Sequence, residues 1–252
     1  MRTADIAYFG EDKMFYLNPD ITRKFDLKEA NNFVRFWTKI DRRTSPVIID
    51  EPAYDDEQQE ISYLCELNVG KPLTQKNIIR LLRWVDSDYT HIERSGPEQG
   101  QLNKRAMNII KKLDILNAFR SGKIKEDEFK RQTAKMVSAN FMRLSLFNLC
   151  RPDIYPLVDR HTLRSYSCHS GTSVGAGFDF KRSWAIYQQY QKYFFQIATA
   201  CGIEKPKKVN RDYIDCLMDV YDALYAFGLY LRDYGVNNIT YFEIMSCKHR
   251  HL

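Results

Sequence analysis

No two of the six cysteines form a C-x-x-C pair; Cys65, Cys150, Cys168, Cys201, Cys216 and Cys247 are scattered along the chain. A zinc site or an iron–sulfur cluster therefore lacks its ligand spacing, and free thiols in a reducing compartment are the simplest reading. No metal and no cofactor are expected. No stretch approaches the roughly 20 apolar residues of a membrane span. The first residues lack the basic start and apolar run of a secretory signal. A cytoplasmic monomer with no membrane partner is expected. Strand-like alternation is almost absent, as are internal repeats and low-complexity tracts. At 252 residues the chain can bury a core without disulfide or metal staples. The fold class these absences leave is all-α.

The net charge of +6 is modest, but its distribution is uneven. Between Asn103 and Arg182, 16 Lys and Arg stand against 7 Asp and Glu, a net +9; outside that window 22 stand against 25, a net −3. A basic centre beside a slightly acidic remainder suits a surface that neutralises phosphates and releases their counterions. Solvated helix faces would give the same count.

Asp26-Leu-Lys-Glu29 reads as a capping box ahead of Ala30, Phe33, Val34, Trp37 and Ile40, which fall at helical spacing. From Thr44 to Leu73 the pattern breaks, with room for a short strand at Val47-Ile48-Ile49. Thr74 reads as the N-cap of a helix through Ile78, Leu82 and Val85, and another helix runs from Leu102 and ends by Gly122. Glu126 to Leu149 reads as one long helix or two abutting ones, ended by Pro152. Ser165 to Asp179, with three glycines, reads as a mobile loop. Two helices close the pattern, one from Trp184 to Gly202 and one from Ile214 to Gly228.

The most informative segment is Leu149-Cys-Arg-Pro-Asp-Ile-Tyr-Pro-Leu-Val-Asp159-Arg-His-Thr-Leu-Arg164. A helix ends, an extended connector with prolines follows, and a carboxylate stands where a new helix begins. This resembles the helix-hairpin-helix DNA glycosylase superfamily, whose members carry a helix, a Pro-containing connector, then Val-Asp, a polar residue and a helix. The match runs by order and element type from about Leu102 to Arg164. The segment Tyr213 to Gly228 resembles the C-terminal helix of divergent relatives of the 8-oxoguanine DNA glycosylases. The resemblance implies an enzyme, a hydrolase that flips a base out of DNA and cuts its N-glycosidic bond, with Asp159 catalytic. Breaking that bond develops positive charge on the deoxyribose, and a nearby anion stabilises it. A helix start is expected to keep the Asp ionised. Acting only as an N-cap is the commonest role of an Asp at such a position.

Two departures stand out. Where the family carries a glycine-rich hairpin, this chain reads Met136-Val-Ser-Ala-Asn140. The lysine of bifunctional members would fall near Ala139 or Asn140, so a monofunctional enzyme using water is expected. Lys135, Asn140, Arg143, Arg160, His161 and Arg164 are the expected DNA contacts. Two helical lobes with a DNA-binding cleft between them are expected, residues 71–165 forming one and residues 1–70 with 166–252 the other. The base could be an oxidised purine, as in base excision repair, or a bulky modified pyrimidine of phage DNA, excised as antiviral defence. The alternatives are a non-catalytic DNA-binding or lesion-sensing module, in which Asp159 is a cap, and an unrelated helical interaction domain.

Overall fold

The computed structural model describes residues 25–43, 71–85, 104–137, 140–171 and 180–233. Among the described residues the regular structure is helical, with no strand. A 3-10 turn, Leu27–Glu29, precedes α1 (Ala30–Arg43), α2 (Gln75–Val85), α3 (Lys104–Ile110), α4 (Leu113–Arg120) and α5 (Glu126–Met136). Then come α6 (Asn140–Cys150), α7 (Arg160–Ser170), α8 (Phe180–Ala200) and α9 (Arg211–Asp233). The strand expected at Val47-Ile48-Ile49 lies outside the described residues. No described helix is long and apolar enough to cross a membrane.

The chain divides into two compact units, one of residues 1–47, 159–204 and 216–252, the other of residues 48–158 and 205–215. The division falls between Val158 and Asp159, so α7 is counted with the terminal segments. Its first half, read in the sequence as the end of the central lobe, lies on the other side of that boundary.

In the central unit, residues 48–158 and 205–215, aromatic packing fixes the helices. Phe119 stacks on Phe129 with ring centroids 4.0 Å apart, and Phe147 meets both edge-on. Such pairs contribute beyond the area they bury. Arg120 binds the C-terminal end of α6, donating to the Leu149 and Cys150 carbonyls at 2.9 and 3.2 Å. These are carbonyls the helix leaves without an internal partner. The stretch Glu126 to Leu149 is two helices, because Val137 is extended (φ −142°, ψ 143°). Ser138 and Ala139 lie outside the described residues. After Cys150 the connector turns tightly, with Ile154 and Tyr155 N–H groups on the Arg151 carbonyl. Asn148 holds the Tyr155 carbonyl at 2.8 Å, and the Tyr155 hydroxyl donates to Glu126 at 2.9 Å. Tyr155, Pro156, Leu157 and Val158 are all buried.

In the terminal unit, Phe25, His169 and Phe227 form a stack, with neighbouring centroids 4.2 and 4.9 Å apart, and Phe33 meets all three edge-on. Asp26 caps the 3-10 turn through the Lys28 N–H, and α1 begins one turn later than the capping-box spacing implies.

The loop expected at Ser165–Asp179 is corrected over its first six residues. Residues through Ser170 belong to α7, which Gly171 ends in the left-handed conformation (φ 65°). Residues 172–179 lie outside the described set. Every residue from His161 to Ser167 is buried. The small polar side chains that argued for a loop serve instead to let another backbone come close, while their hydroxyls find acceptors.

Candidate active site

Asp159 precedes the first residue of α7 and is extended there (φ −140°, ψ −172°). Its Oδ1 accepts the His161 and Thr162 N–H groups at 2.6 and 2.8 Å, and Thr162 Oγ1 accepts the Asp159 N–H at 2.9 Å. This reciprocal pair is a capping box. The other oxygen, Oδ2, accepts the Tyr221 hydroxyl of α9 at 2.8 Å. Three neutral donors therefore surround the carboxylate.

Among the described residues Asp159 makes no ion pair. It is half-buried as a residue, and burial pushes its carboxyl above the ordinary value, while the bonds from Thr162, Tyr221 and His161 pull the other way. The helix start alone would favour the ionised form; withdrawal from water outweighs it. Tyr221 is buried, and its hydroxyl is raised well above the ordinary value by burial and then by the Asp159 charge. Tyr190 of α8 bonds Thr162 and is likewise raised by burial. Both phenols stay protonated, and Tyr221 donates to Asp159.

The six expected DNA contacts divide. Arg160 is exposed, with Nε 3.1 Å from His161 Nε2, and Lys135 is exposed in the last turn of α5. His161, Arg164 and Arg143 are only 4%, 8% and 7% exposed, so as placed they are internal supports out of reach of a phosphate. Arg164 bonds His161 Nδ1 at 3.0 Å and the Gly228 carbonyl at 3.1 Å. Arg143 donates to the Lys130 carbonyl at 3.1 Å. The Asn140 side chain lies outside the described set.

The basic block also divides. Lys130 and Arg131 are paired with Glu126, Asp127 and Glu128 on their own helix, and Arg120 is taken by carbonyls. Lys111, Lys112, Lys123, Lys125 and Lys135 are exposed and meet no carboxylate among the described residues. Lys123 also lines a hollow of about 670 Å³ in the central unit, together with Lys71, Arg120 and Arg151. Asp153 in its wall is already held by Lys205 at 2.8 Å and Arg151 at 3.5 Å.

The chain matches no family model, no curated protein and no solved structure. No group of three or more His, Cys, Asp or Glu among the described residues could hold a metal ion. Sequence reasoning missed Tyr221, Tyr190, Thr162 and Gly228. The two tyrosines sit at helical core spacing, where a ring reads as filler and its hydroxyl gives no signal.

Proposed function

We propose that the protein is a monofunctional DNA glycosylase in which Asp159 is the catalytic carboxylate. The observation that carries this reading is the setting of the carboxylate: half-buried, held by three neutral donors, and with no ion pair among the described residues. A structural ion of that kind would be paired. An unbalanced one suits a reaction whose transition state brings the positive charge itself. As the C1′–N bond breaks, both its electrons leave with the base and cationic charge grows on the sugar beside Asp159. Water then adds at C1′ and gives up a proton, the departing base takes up one, and an abasic site remains. Asp159 works by charge and position and forms no bond. The order α5, short connection, α6, proline-containing connector, Asp159, α7 supports the same reading, because it follows the element order of the helix-hairpin-helix glycosylases.

The capping box favours a second reading, in which Asp159 only starts α7 and the protein binds DNA without acting on it. One experiment separates the two. DNA duplexes carrying oxidised purines, alkylated bases or glucosylated hydroxymethyl pyrimidines are incubated with the protein, and free base and alkali-labile sites are measured. Base release lost in Asp159→Asn supports catalysis. Salt-dependent duplex binding that survives Asp159→Asn, with no release by either protein, selects the binding module.

A further inference from the structure

Gly228 stands inside α9, where glycine costs roughly 1 kcal/mol relative to alanine. No positive φ calls for it. Space does: a Cβ here would lie 2.0 Å from the His161 carbonyl oxygen and 2.9 Å from its Cα. The backbones of α7 and α9 touch at this crossing. Side chains fasten it, since Arg164 donates to the Gly228 carbonyl at 3.1 Å and Ser165 Oγ to the Leu224 carbonyl. Tyr221 precedes Gly228 by two helical turns on the same face, and it donates to Asp159 Oδ2.

We propose that Tyr221 is a positioning residue for the Asp159 carboxylate, and that the backbone contact between Gly228 and His161 sets its reach. The proposal rests on the glycosylase reading for its consequence in catalysis. The two carboxylate oxygens are held from different sides. Oδ1 is fixed by amides of α7 itself and would stay in place wherever α9 lay. Among the described residues Oδ2 is held by α9 alone, so the plane of the carboxylate depends on how closely the two helices approach. A shift of about 1 Å would stretch a hydrogen bond past its useful range.

Among the described residues the groups facing the carboxylate are few. Tyr221 comes from α9, and its own hydroxyl feels Tyr225 one turn on and the charge of Asp222 beside it. From α8, Tyr190 bonds Thr162. Arg160 and Arg164 of α7 both turn to the His161 ring. Removing the Tyr221 hydroxyl takes one donor from the charged form and leaves the burial in place, so the carboxyl should hold its proton more tightly.

The test is Tyr221→Phe, read by ¹³C NMR titration of the Asp159 carboxyl alongside kcat/KM for base release against pH. The titration midpoint should rise by about one pH unit and the acid limb of the rate should move with it. Gly228→Ala should move the midpoint the same way, and the double variant no further than either alone. If Gly228→Ala does not fold, Tyr221→Phe decides the positioning role, and Ser165→Ala, which loosens the same crossing at the Leu224 carbonyl, should move the midpoint the same way or the contact does not set the reach. An unmoved midpoint in Tyr221→Phe overturns the positioning role, whatever the activity. A midpoint that moves in a protein releasing no base from any substrate would instead sink the glycosylase reading and leave the positioning role standing.

Discussion

Arg160 follows Asp159 in the chain, yet its Nε lies 3.1 Å from His161 Nε2 and makes no ion pair with the carboxylate. Arg164 approaches the same ring from the other nitrogen at 3.0 Å. A neutral imidazole has one acceptor nitrogen, so only one of these guanidinium groups can be hydrogen-bonded to it. Arg164 is buried and anchored by Gly228, which leaves exposed Arg160 with the weaker hold. His161 thus sits between the two guanidinium groups, and among the described residues Asp159 has no ion-pair partner.

That setting should be measurable as a stability cost. Because burial raises the folded-state pKa of Asp159, the folded protein holds this proton more tightly than the unfolded chain. Stability from this group is greatest below the unfolded value of about 3.9 and falls as pH rises through the folded one. Asp159→Asn keeps the cap and removes the charge. Its Tm should equal or exceed that of the wild type at neutral pH, with the advantage closing near pH ~4. Base release should fall by at least ~10²-fold. A variant clearly less stable at neutral pH, with excision intact, would show that Asp159 is only a cap.

His169 should make stability depend on pH where a solvated histidine would not. It is stacked between Phe25 and Phe227, hydrogen-bonded to Tyr193, and burial pulls its pKa from 6.5 down to about 3. Between those values the unfolded chain binds the proton and the folded one does not. Stability should therefore fall as pH drops from 6.5 towards 3, with a slope of up to about 1.4 kcal/mol per pH unit. Urea titrations across this window should show a shallower slope in His169→Phe; an unchanged slope would assign the acid sensitivity to other groups.

Duplex binding should weaken steeply with salt. The exposed lysines at 111, 112, 123, 125 and 135 have no carboxylate to satisfy them among the described residues, and each phosphate they neutralise should add about 0.9 to the log–log slope. Lys123→Glu with Lys125→Glu should lower the affinity for any duplex and flatten the slope by about two units. The same change in Arg143 would instead unfold the central unit, because Arg143 is buried against α5. A wild-type affinity indifferent to salt would mean that the lysines are only solvated.

No borohydride-trapped crosslink should form while base release runs to completion. Lys135, the lysine nearest the Met136–Asn140 stretch in sequence, ends α5 with its side chain exposed, and on the proposed glycosylase reading a nucleophilic lysine would fall near Ala139 or Asn140. The product should be an intact abasic site that breaks on later alkali. A crosslink that disappears in Lys135→Ala would make that lysine the nucleophile.

The helices were legible where one face repeats at helical spacing, as in α1 with Phe33, Val34 and Trp37, all buried. Asp159 was legible because a helix start shows in the sequence as a carboxylate after a proline-containing connector. Two things were not. α7 reads as loop beyond Arg164 because its buried face is made of Ser165 and Ser167 as much as of Leu163 and Tyr166; propensity registers their polarity and not the helix they admit. Tyr221 gave no sign of its role, since the bond to Asp159 joins residues 62 apart and depends on how closely two helices approach.

The contact between Gly228 and His161 leaves a trace by which relatives could be found. Since no side chain fits the crossing, and the hydroxyl that reaches Asp159 lies two turns earlier, the last helix bears the spacing Tyr-x6-Gly, coupled to Val-Asp-x-His at the start of α7. Either pattern alone is too short to be diagnostic. Paired in one chain they form a compound signature of this crossing. A chain that keeps the tyrosine but fills the glycine position with a larger residue would have to cross its helices at a different height.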